Sequence, residues 1–179
     1  MPYVLPFFPL PFPFPISLSS SSIPTNSAPA QYPLHLLNLS SVHALSALIS
    51  SSPSPQSQST IPPPLPLSAT RFRANIILTG PPAFAEDTFR LIHIGSTALA
   101  VCCRTARCKM PNVHPITGER HASEPDRTLR RERAVDKGAG KGVGCLGVQM
   151  VAMVDGRGLV RVGDGVVVKE WGESEYIPQ

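Results

Sequence analysis

The segment Phe89-Arg-Leu-Ile-His-Ile94, Gly95-Ser96, Thr97-Ala-Leu-Ala-Val-Cys-Cys103 decides the fold. Two apolar runs of strand length flank a Gly-Ser pair, which is a hairpin signal because glycine adopts the positive φ of tight turns. Other runs of strand length, each bounded by glycine or proline, cover residues 73–79, 145–154, 159–162 and 166–171. Short strands separated by turns, with little helix, predict a mainly β fold built as a small barrel.

The chain before the hairpin has a different composition. Residues 1–70 contain no Asp, Glu, Lys or Arg and hold 15 of the 21 prolines, whereas all 13 glycines come later. Residues 1–31 predict a disordered low-complexity leader, because proline removes helical hydrogen bonds and the segment cannot build a core. The same prolines exclude a membrane span, and the absence of a positive start argues against a signal peptide.

The remaining chain divides into two predicted segments. Residues 32–70 predict a strand over 33–37, a helix over 42–49 and a flexible loop. Residues 71–179 predict the β-barrel domain, with a short helix over 128–133.

Cys108 follows the second hairpin strand and lies between Arg107 and Lys109. Neighbouring cations favour a thiolate, which serves as a nucleophile or as a soft metal ligand. The alternative is a buried structural cysteine with two solvated basic neighbours. Local chemistry leaves both interpretations open.

Other motifs argue against several functions. Gly138–Gly144 lacks the Gly-Lys-Ser/Thr ending and the preceding strand of a phosphate loop, and predicts a flexible connection. No residue is marked as the base of a hydrolase. The set Cys103, Cys108, His114 and His121 matches no structural zinc spacing. Glu132 interrupts the arginines at 130, 131 and 133, so these indicate a solvated helix face and no nucleic-acid partner. Four cysteines without a secretory signal favour reduced thiols.

Ordered motifs run through the second half of the chain. They are Arg71-Phe-Arg-Ala-Asn-Ile-Ile77, Ala85-Glu-Asp87, Ile94-Gly95, Arg107-Cys108, Pro115-Ile-Thr-Gly118, Glu124-Pro125 with Thr128-Leu-Arg130, Leu146-Gly-Val-Gln149 and Val160-Arg-Val-Gly-Asp164. Together they resemble the MOSC domain of molybdenum cofactor proteins, above all the mitochondrial amidoxime-reducing component family. His114 replaces an Asp of the family, a change that a turn position tolerates.

The resemblance implies that Cys108 supplies the protein thiolate on molybdenum, as catalytic residue and metal ligand. Arg73, Asn75 and Arg107 would hold the pterin of the molybdenum cofactor or its phosphate. The implied chemistry is reduction of small N-hydroxylated compounds with electrons from a haem or flavin protein, in the cytoplasm or the mitochondrion. The family also has a general association with pyridoxal phosphate binding.

One departure from the family concerns the front of the chain. The family places a second β-rich domain before this one, and basic residues of that domain hold the cofactor's phosphate. Here an uncharged Pro/Ser-rich leader stands in its place, which would expose a barrel edge. Two alternatives therefore stay open: a cofactor-handling, sulfurase-type accessory domain, and a truncated remnant without catalysis.

Overall fold

Strands dominate the described part of this computed structural model, which covers residues 16–18, 32–51, 67–153 and 158–173. The strands are β1 (Ile16–Leu18), β2 (Leu34–Asn38), β3 (Ile76–Leu78), β4 (Phe89–Ile94), β5 (Thr97–Ala106), β6 (Cys145–Ala152) and β7 (Val166–Trp171). The helices are α1 (Leu39–Ser51) and α2 (Asp126–Glu132), and single 3-10 turns cover Ala69–Phe72, Ala85–Thr88 and Met110–Asn112.

All of these strands belong to one sheet, in the order β1-β3-β2-β6-β5-β4-β7. Neighbouring strands are antiparallel except β2 and β3, which are parallel. The sheet curls into a half-barrel with β1 and β7 at its edges. The predicted mainly β fold is confirmed.

The two faces of the sheet carry separate apolar cores. Successive side chains of a strand point to opposite faces, so Leu36 of β2 packs inside the curl while Leu37 packs beneath the helices. The inner core is built from β2 to β7 and includes Phe89, Ile92 and Met150. The outer core joins the sheet to Val42 and Leu45 of α1, Leu129 of α2 and Phe72, among others. The outer core thereby fixes both helices against the strands.

A bulge in β6 changes which face its side chains reach. Between the pairs Arg104↔Val148 and Ala106↔Cys145, strand β6 has one residue more than β5. Gly147 lies in that step with φ +75°, as expected of a bulge that needs a left-handed residue. Because of the extra residue, Leu146 packs in the outer core and Val148 in the inner core.

Most predicted elements are confirmed, with shifted bounds. The hairpin forms as predicted, β5 runs three residues further, and the helix predicted over 42–49 extends to Leu39–Ser51. The strand predicted over 73–79 is shortened to Ile76–Leu78, because Arg73 adopts a left-handed conformation (φ 52°) after the 3-10 turn. Of the predicted leader, only Ile16–Leu18 is described, as a strand; the rest of that prediction lies outside the described residues.

The strand predicted over 159–162 is wrong. Residues 158–165 are irregular, and β7 pairs with β4 instead of with this segment. The cause is a turn in which Asp164 Oδ2 accepts a hydrogen bond from Arg161 N (2.7 Å), and Asp164 N donates to the Arg161 carbonyl (3.1 Å). An aspartate that bonds the nearby backbone competes with a strand ladder for the same groups.

Candidate functional site

Cys108 lies two residues beyond the end of β5, between that strand and the turn Met110–Asn112. Its side chain is exposed, and its Sγ accepts a weak hydrogen bond from Met110 N at 3.5 Å. The alternative of a buried structural cysteine is therefore wrong, whereas Cys103 and Cys145 are buried. Burial raises the pKa of each of those two thiols to about 11. The sulfur is therefore accessible on the segment 107–113, which is called the Cys108 loop below.

Arg107 fixes the chain immediately before the cysteine. Its Nη1 donates to the Phe72 carbonyl (3.0 Å), and its Nε donates to the Leu146 carbonyl (2.9 Å). Its Nη2 contacts the Leu146 carbonyl and the His35 ring, and the guanidinium lies 5.4 Å from the centre of the Phe72 ring. Burial lowers the pKa of Arg107 to about 10. All three nitrogens are thus engaged within the protein, which makes Arg107 an anchor of the loop.

The β6 bulge supplies the carbonyl that Arg107 binds. A Cβ on Gly147 would lie 2.5 Å from the Leu36 carbonyl oxygen and 2.6 Å from His35 Nε2. Only glycine therefore allows β6 to approach β2 this closely while adopting a positive φ. The Cys108 loop therefore requires glycine at position 147, because Gly147 places the Leu146 carbonyl where Arg107 binds it.

His35 connects the predicted site residues, although the sequence did not single it out. A guanidinium can only donate, so His35 Nε2 accepts from Arg107 Nη2. His35 N donates to Asn75 Oδ1 (2.8 Å), and Asn75 N donates to the His35 carbonyl (3.0 Å). Burial, with the Arg107 charge, lowers the pKa of His35 to about 3, so the ring is neutral at physiological pH. Arg107 and Asn75 are therefore held together through one histidine.

Arg73 and Asn75 lie at the junction between the 3-10 turn and β3. Arg73 is exposed, and its backbone N donates to the Thr70 carbonyl (3.1 Å). Asn75 is half-buried, and its Oδ1 accepts the hydrogen bond from His35 N. Since Arg107 binds the carbonyl of Phe72, these residues share one side of the fold with the Cys108 loop.

A second arginine, Arg71, fixes the chain after the cysteine. The sequence did not single it out as a site residue. Arg71 Nη1 donates to the carbonyls of Pro111 and Val113, both at 3.1 Å. Its Nη2 is buried and, within the described ranges, has no hydrogen-bond partner. Burial lowers the pKa of Arg71. Its place in the Arg71-Phe-Arg73 motif was the available signal, but the sequence does not show which arginine turns inward.

His114 accepts the backbone hydrogen bonds that an aspartate would accept in this turn. Its Nδ1 accepts hydrogen bonds from the backbone N–H groups of Thr117 (3.1 Å) and Ile116 (3.3 Å). A carboxylate in that position would accept the same bonds. The replacement is therefore tolerated, as expected, and it leaves the turn beside Cys108 intact.

The neighbouring carboxylates Glu86 and Asp87 point to different places, as adjacent residues usually do. Glu86 is buried and accepts hydrogen bonds from Ser41 Oγ (2.7 and 2.9 Å) and Asn38 Nδ2 (3.1 Å); burial raises its pKa. Asp87 pairs with Arg133 and lies 3.8 Å from Arg104 Nε. Neither carboxylate points to acid–base chemistry at Cys108.

The described residues hold neither a metal-binding cluster of side chains nor a helix that could span a membrane. Across residues 32–51, 67–153 and 158–173, no three His, Cys, Asp or Glu side chains cluster in a way that would hold a metal ion. In the same part of the chain, every helix is too short or too polar to cross a membrane.

The amino-acid sequence is similar to those of several known proteins. The chain is 35% identical over 100 residues to mitochondrial amidoxime-reducing component 1 of Mus musculus, covering 55% of this chain and 29% of that protein. The human protein of the same name is 34% identical over 101 residues, with the same coverages. A molybdenum cofactor sulfurase of Caenorhabditis briggsae is 43% identical over 54 residues, covering 30% of this chain and 8% of that protein.

The chain also matches a solved structure and a protein-family model. A solved structure described as an hypothetical protein is similar with a TM-score of 0.45 and 11% identity, covering 90% of this chain and 67% of that chain. The family model of the MOSC domain matches residues 24–167, which is well over half of the chain. The chain therefore belongs to the MOSC domain family.

Proposed function

We propose that this chain binds the molybdenum cofactor and that the Cys108 thiolate is the protein ligand of the metal. The observation that carries the proposal is an exposed sulfur on a loop that Arg107 holds before the cysteine and Arg71 holds after it. A thiolate is a soft ligand suited to such a centre. Arg73 and Asn75 Nδ2 would donate to the pterin or its phosphate.

The buried polar atoms around the loop agree with a ligand in this region. Arg71 Nη2 and His121 Nε2 are buried donors without partners among the described residues. His121 Nδ1 accepts from Glu124 N (2.7 Å), so its Nε2 carries the proton. Native proteins leave few buried donors unpaired, and a ligand or ordered water commonly accounts for the exceptions.

The reaction we propose is reduction of N-hydroxylated compounds. When bound, the molybdenum centre supplies two-electron redox chemistry. The N–O bond breaks, two protons and two electrons are taken up, and the oxygen leaves as water. The electrons would come from a haem or flavin protein. The mouse and human relatives carry amidoxime reduction and a mitochondrial location in their names, and we propose both for this chain.

A sulfurase-type accessory role is the second candidate. It is favoured by the 43% identity to a molybdenum cofactor sulfurase over 54 residues. In that role the same Cys108 site would hold the cofactor without turnover of an N-hydroxylated substrate.

Metal analysis tests cofactor binding first. The full chain, produced in a host that makes the cofactor, is expected to retain about one molybdenum per chain. Cys108→Ala should lose the metal, whereas Cys102→Ala, which removes a half-buried thiol from β5, should keep it. A wild-type chain that takes up no molybdenum after cofactor loading would reject both candidates and favour a remnant without catalysis.

Turnover then separates the two candidates. Reduction of benzamidoxime with an artificial electron donor is expected for the oxidoreductase. Full molybdenum occupancy without benzamidoxime reduction would favour the accessory role.

A further inference from the structure

Asn112 is the last residue of the 3-10 turn that follows Cys108, and it is only 1% exposed. Its backbone N donates to the Lys109 carbonyl at 3.1 Å, which closes the turn directly after the cysteine. Within the same turn, Met110 N donates to Cys108 Sγ at 3.5 Å. A displacement of Asn112 would therefore move the residues that contact the sulfur.

The other polar groups of Asn112 join this turn to a distant segment of the chain. Asn112 Nδ2 donates to the His121 carbonyl (3.3 Å), and His121 N donates to the Asn112 carbonyl (2.9 Å). Asn112 Oδ1 accepts a hydrogen bond from Asp126 N (3.1 Å). Together with the bond to Lys109, every polar group of this buried residue has a partner.

The bond to Asp126 also fixes the start of α2. The first N–H groups of a helix have no partner inside the helix. Pro125, which precedes Asp126, makes no side-chain hydrogen bond to the helix, and Asn112 Oδ1 supplies an acceptor from 14 residues away. Because Asn112 is buried, loss of this bond would leave polar groups unpaired away from water, which is costly. The Cys108 loop and α2 should therefore move as one unit.

Asn112 and Arg71 hold the same stretch of chain through different parts of the fold. Arg71 donates to the neighbouring carbonyls of Pro111 and Val113 from the 3-10 turn that precedes β3. Asn112 connects that stretch to α2 and to the segment before it. The residues after Cys108 are thus fixed by two independent sets of hydrogen bonds.

We propose that Asn112 is a positioning residue, which fixes the Cys108 sulfur in the place where it binds the metal. The inference rests on the proposed role of Cys108 as the molybdenum ligand. Residues that orient a metal ligand without touching the metal change metal affinity by roughly 10–100-fold when they are substituted. The bonds of Asn112 can be removed while Cys108 and Arg107 stay in the chain, so the position of the sulfur can be tested apart from its presence.

Asn112→Ala removes both side-chain hydrogen bonds to the distant segment. The matched control is Thr97→Ala, which removes the bond from another buried side chain to the Leu159 carbonyl (3.2 Å) at the opposite end of β5. Both substitutions should lower the urea concentration at which the chain unfolds, because each removes a hydrogen bond of a buried side chain. Hydrogen exchange of the metal-free chains should separate them. The amides of residues 109–113 should exchange about tenfold faster in the Asn112 variant and at the wild-type rate in the control.

The second measurement uses chains loaded with the cofactor. The half-time for loss of molybdenum should be about tenfold shorter in Asn112→Ala than in the wild type. The EPR spectrum of the reduced molybdenum centre should also broaden, because the Cys108 sulfur would occupy several positions. Thr97→Ala should match the wild type in both measurements.

Three results overturn the proposal. Unchanged exchange of residues 109–113 would show that Asn112 does not hold the loop. Faster exchange with unchanged molybdenum retention and EPR spectrum would make Asn112 a structural residue only. Equal changes in Thr97→Ala would reduce the effect to general destabilisation. A wild-type chain that takes up no molybdenum is a different result, since it rejects the proposed function itself and the positioning role with it.

If Asn112→Ala does not fold, hydrogen exchange of the wild-type chain decides. The amides of Asn112 and Asp126 should then become exposed in the same opening event and show the same protection. Weaker protection at Asn112 than at Asp126 would show that the loop opens without α2, and that result overturns the proposal.

Discussion

Arg71 and Arg107 hold the Cys108 loop by hydrogen bonds, whereas Arg127 and Arg131 lie exposed on α2. Arg107 donates to the carbonyls of Phe72 and Leu146, and Arg71 donates to those of Pro111 and Val113. In the second pair, Arg131 Nε contacts the exposed carboxylate of Glu132. The same side chain therefore serves as a scaffold in one place and as part of a solvated helix face in the other.

The two pairs of arginines differ because their hydrogen bonds and ion pairs are exposed to solvent to different extents. A hydrogen bond from a charged donor to a buried carbonyl contributes roughly 1.5–3 kcal/mol, because neither group retains water if the bond is lost. An exposed cation competes with water and salt, and its ion pairs contribute about 0–1 kcal/mol. Arginines that donate to main-chain carbonyls should therefore control stability and loop geometry, whereas exposed ones should contribute little to either.

The largest effect is expected for Arg107→Gln. The substitution removes donors from the Phe72 and Leu146 carbonyls and from His35, and should lower the free energy of unfolding by roughly 3 kcal/mol. Arg127→Gln should change it by no more than about 0.5 kcal/mol. Urea denaturation of the metal-free chains measures both. Equal losses in the two variants would end the distinction between scaffold arginines and exposed ones.

Gly147→Ala tests the bulge that presents the Leu146 carbonyl to Arg107. Its Cβ would meet the Leu36 carbonyl at 2.5 Å in a positive-φ conformation, and we expect a loss of about 2–3 kcal/mol. Gly163→Ala is the matched control, since Gly163 has φ +92° and nothing within 4 Å of a Cβ. That variant should lose only about 1 kcal/mol. Thermal and urea unfolding compare the two, and similar losses would mean that the bulge contact is not a constraint.

The fold was largely predictable because alternation and turn signals act locally. The two strands around Gly95-Ser96 and the strand that begins at Cys145 could each be recognised from the residues of that segment alone. The strand predicted over 159–162 failed because one side chain, Asp164, redirected the backbone. The β6 bulge could not be predicted either, since it depends on the register between two strands.

The candidate site was predicted in a different way. Cys108 stood out from its charged neighbours, and the ordered motifs identified Arg73, Asn75 and Arg107 as partners. His35 and Arg71 were missed because their partners are distant in sequence: His35 meets Arg107 across 72 residues, and Arg71 meets Pro111 across 40. The sequence also gave no means to tell that Arg107 donates to carbonyls within the protein.

A pH dependence is also expected from His35. Its pKa is about 3 in the folded chain and about 6.5 when unfolded. Between these values the unfolded chain binds the additional proton, so stability should fall as the pH decreases from about 6.5 toward 3. The slope from this residue approaches about 1.4 kcal/mol per pH unit. His35→Gln should remove that slope, although Glu86 and other acids still titrate in both chains.

The decisive measurement is therefore the difference between the two unfolding curves, collected by urea denaturation from pH 4 to pH 7.5. Subtraction cancels the shared carboxylates and leaves the histidine. Burial of the ring beside Arg107 is what disfavours its protonation, so the difference should change steadily below pH 6.5 and stay constant above it. A difference that stays constant across this range would show that His35 can be protonated where it lies. The anchor that joins Arg107 to Asn75 would then have to accommodate two adjacent positive charges, and the neutral histidine could not be what holds the Cys108 loop in place.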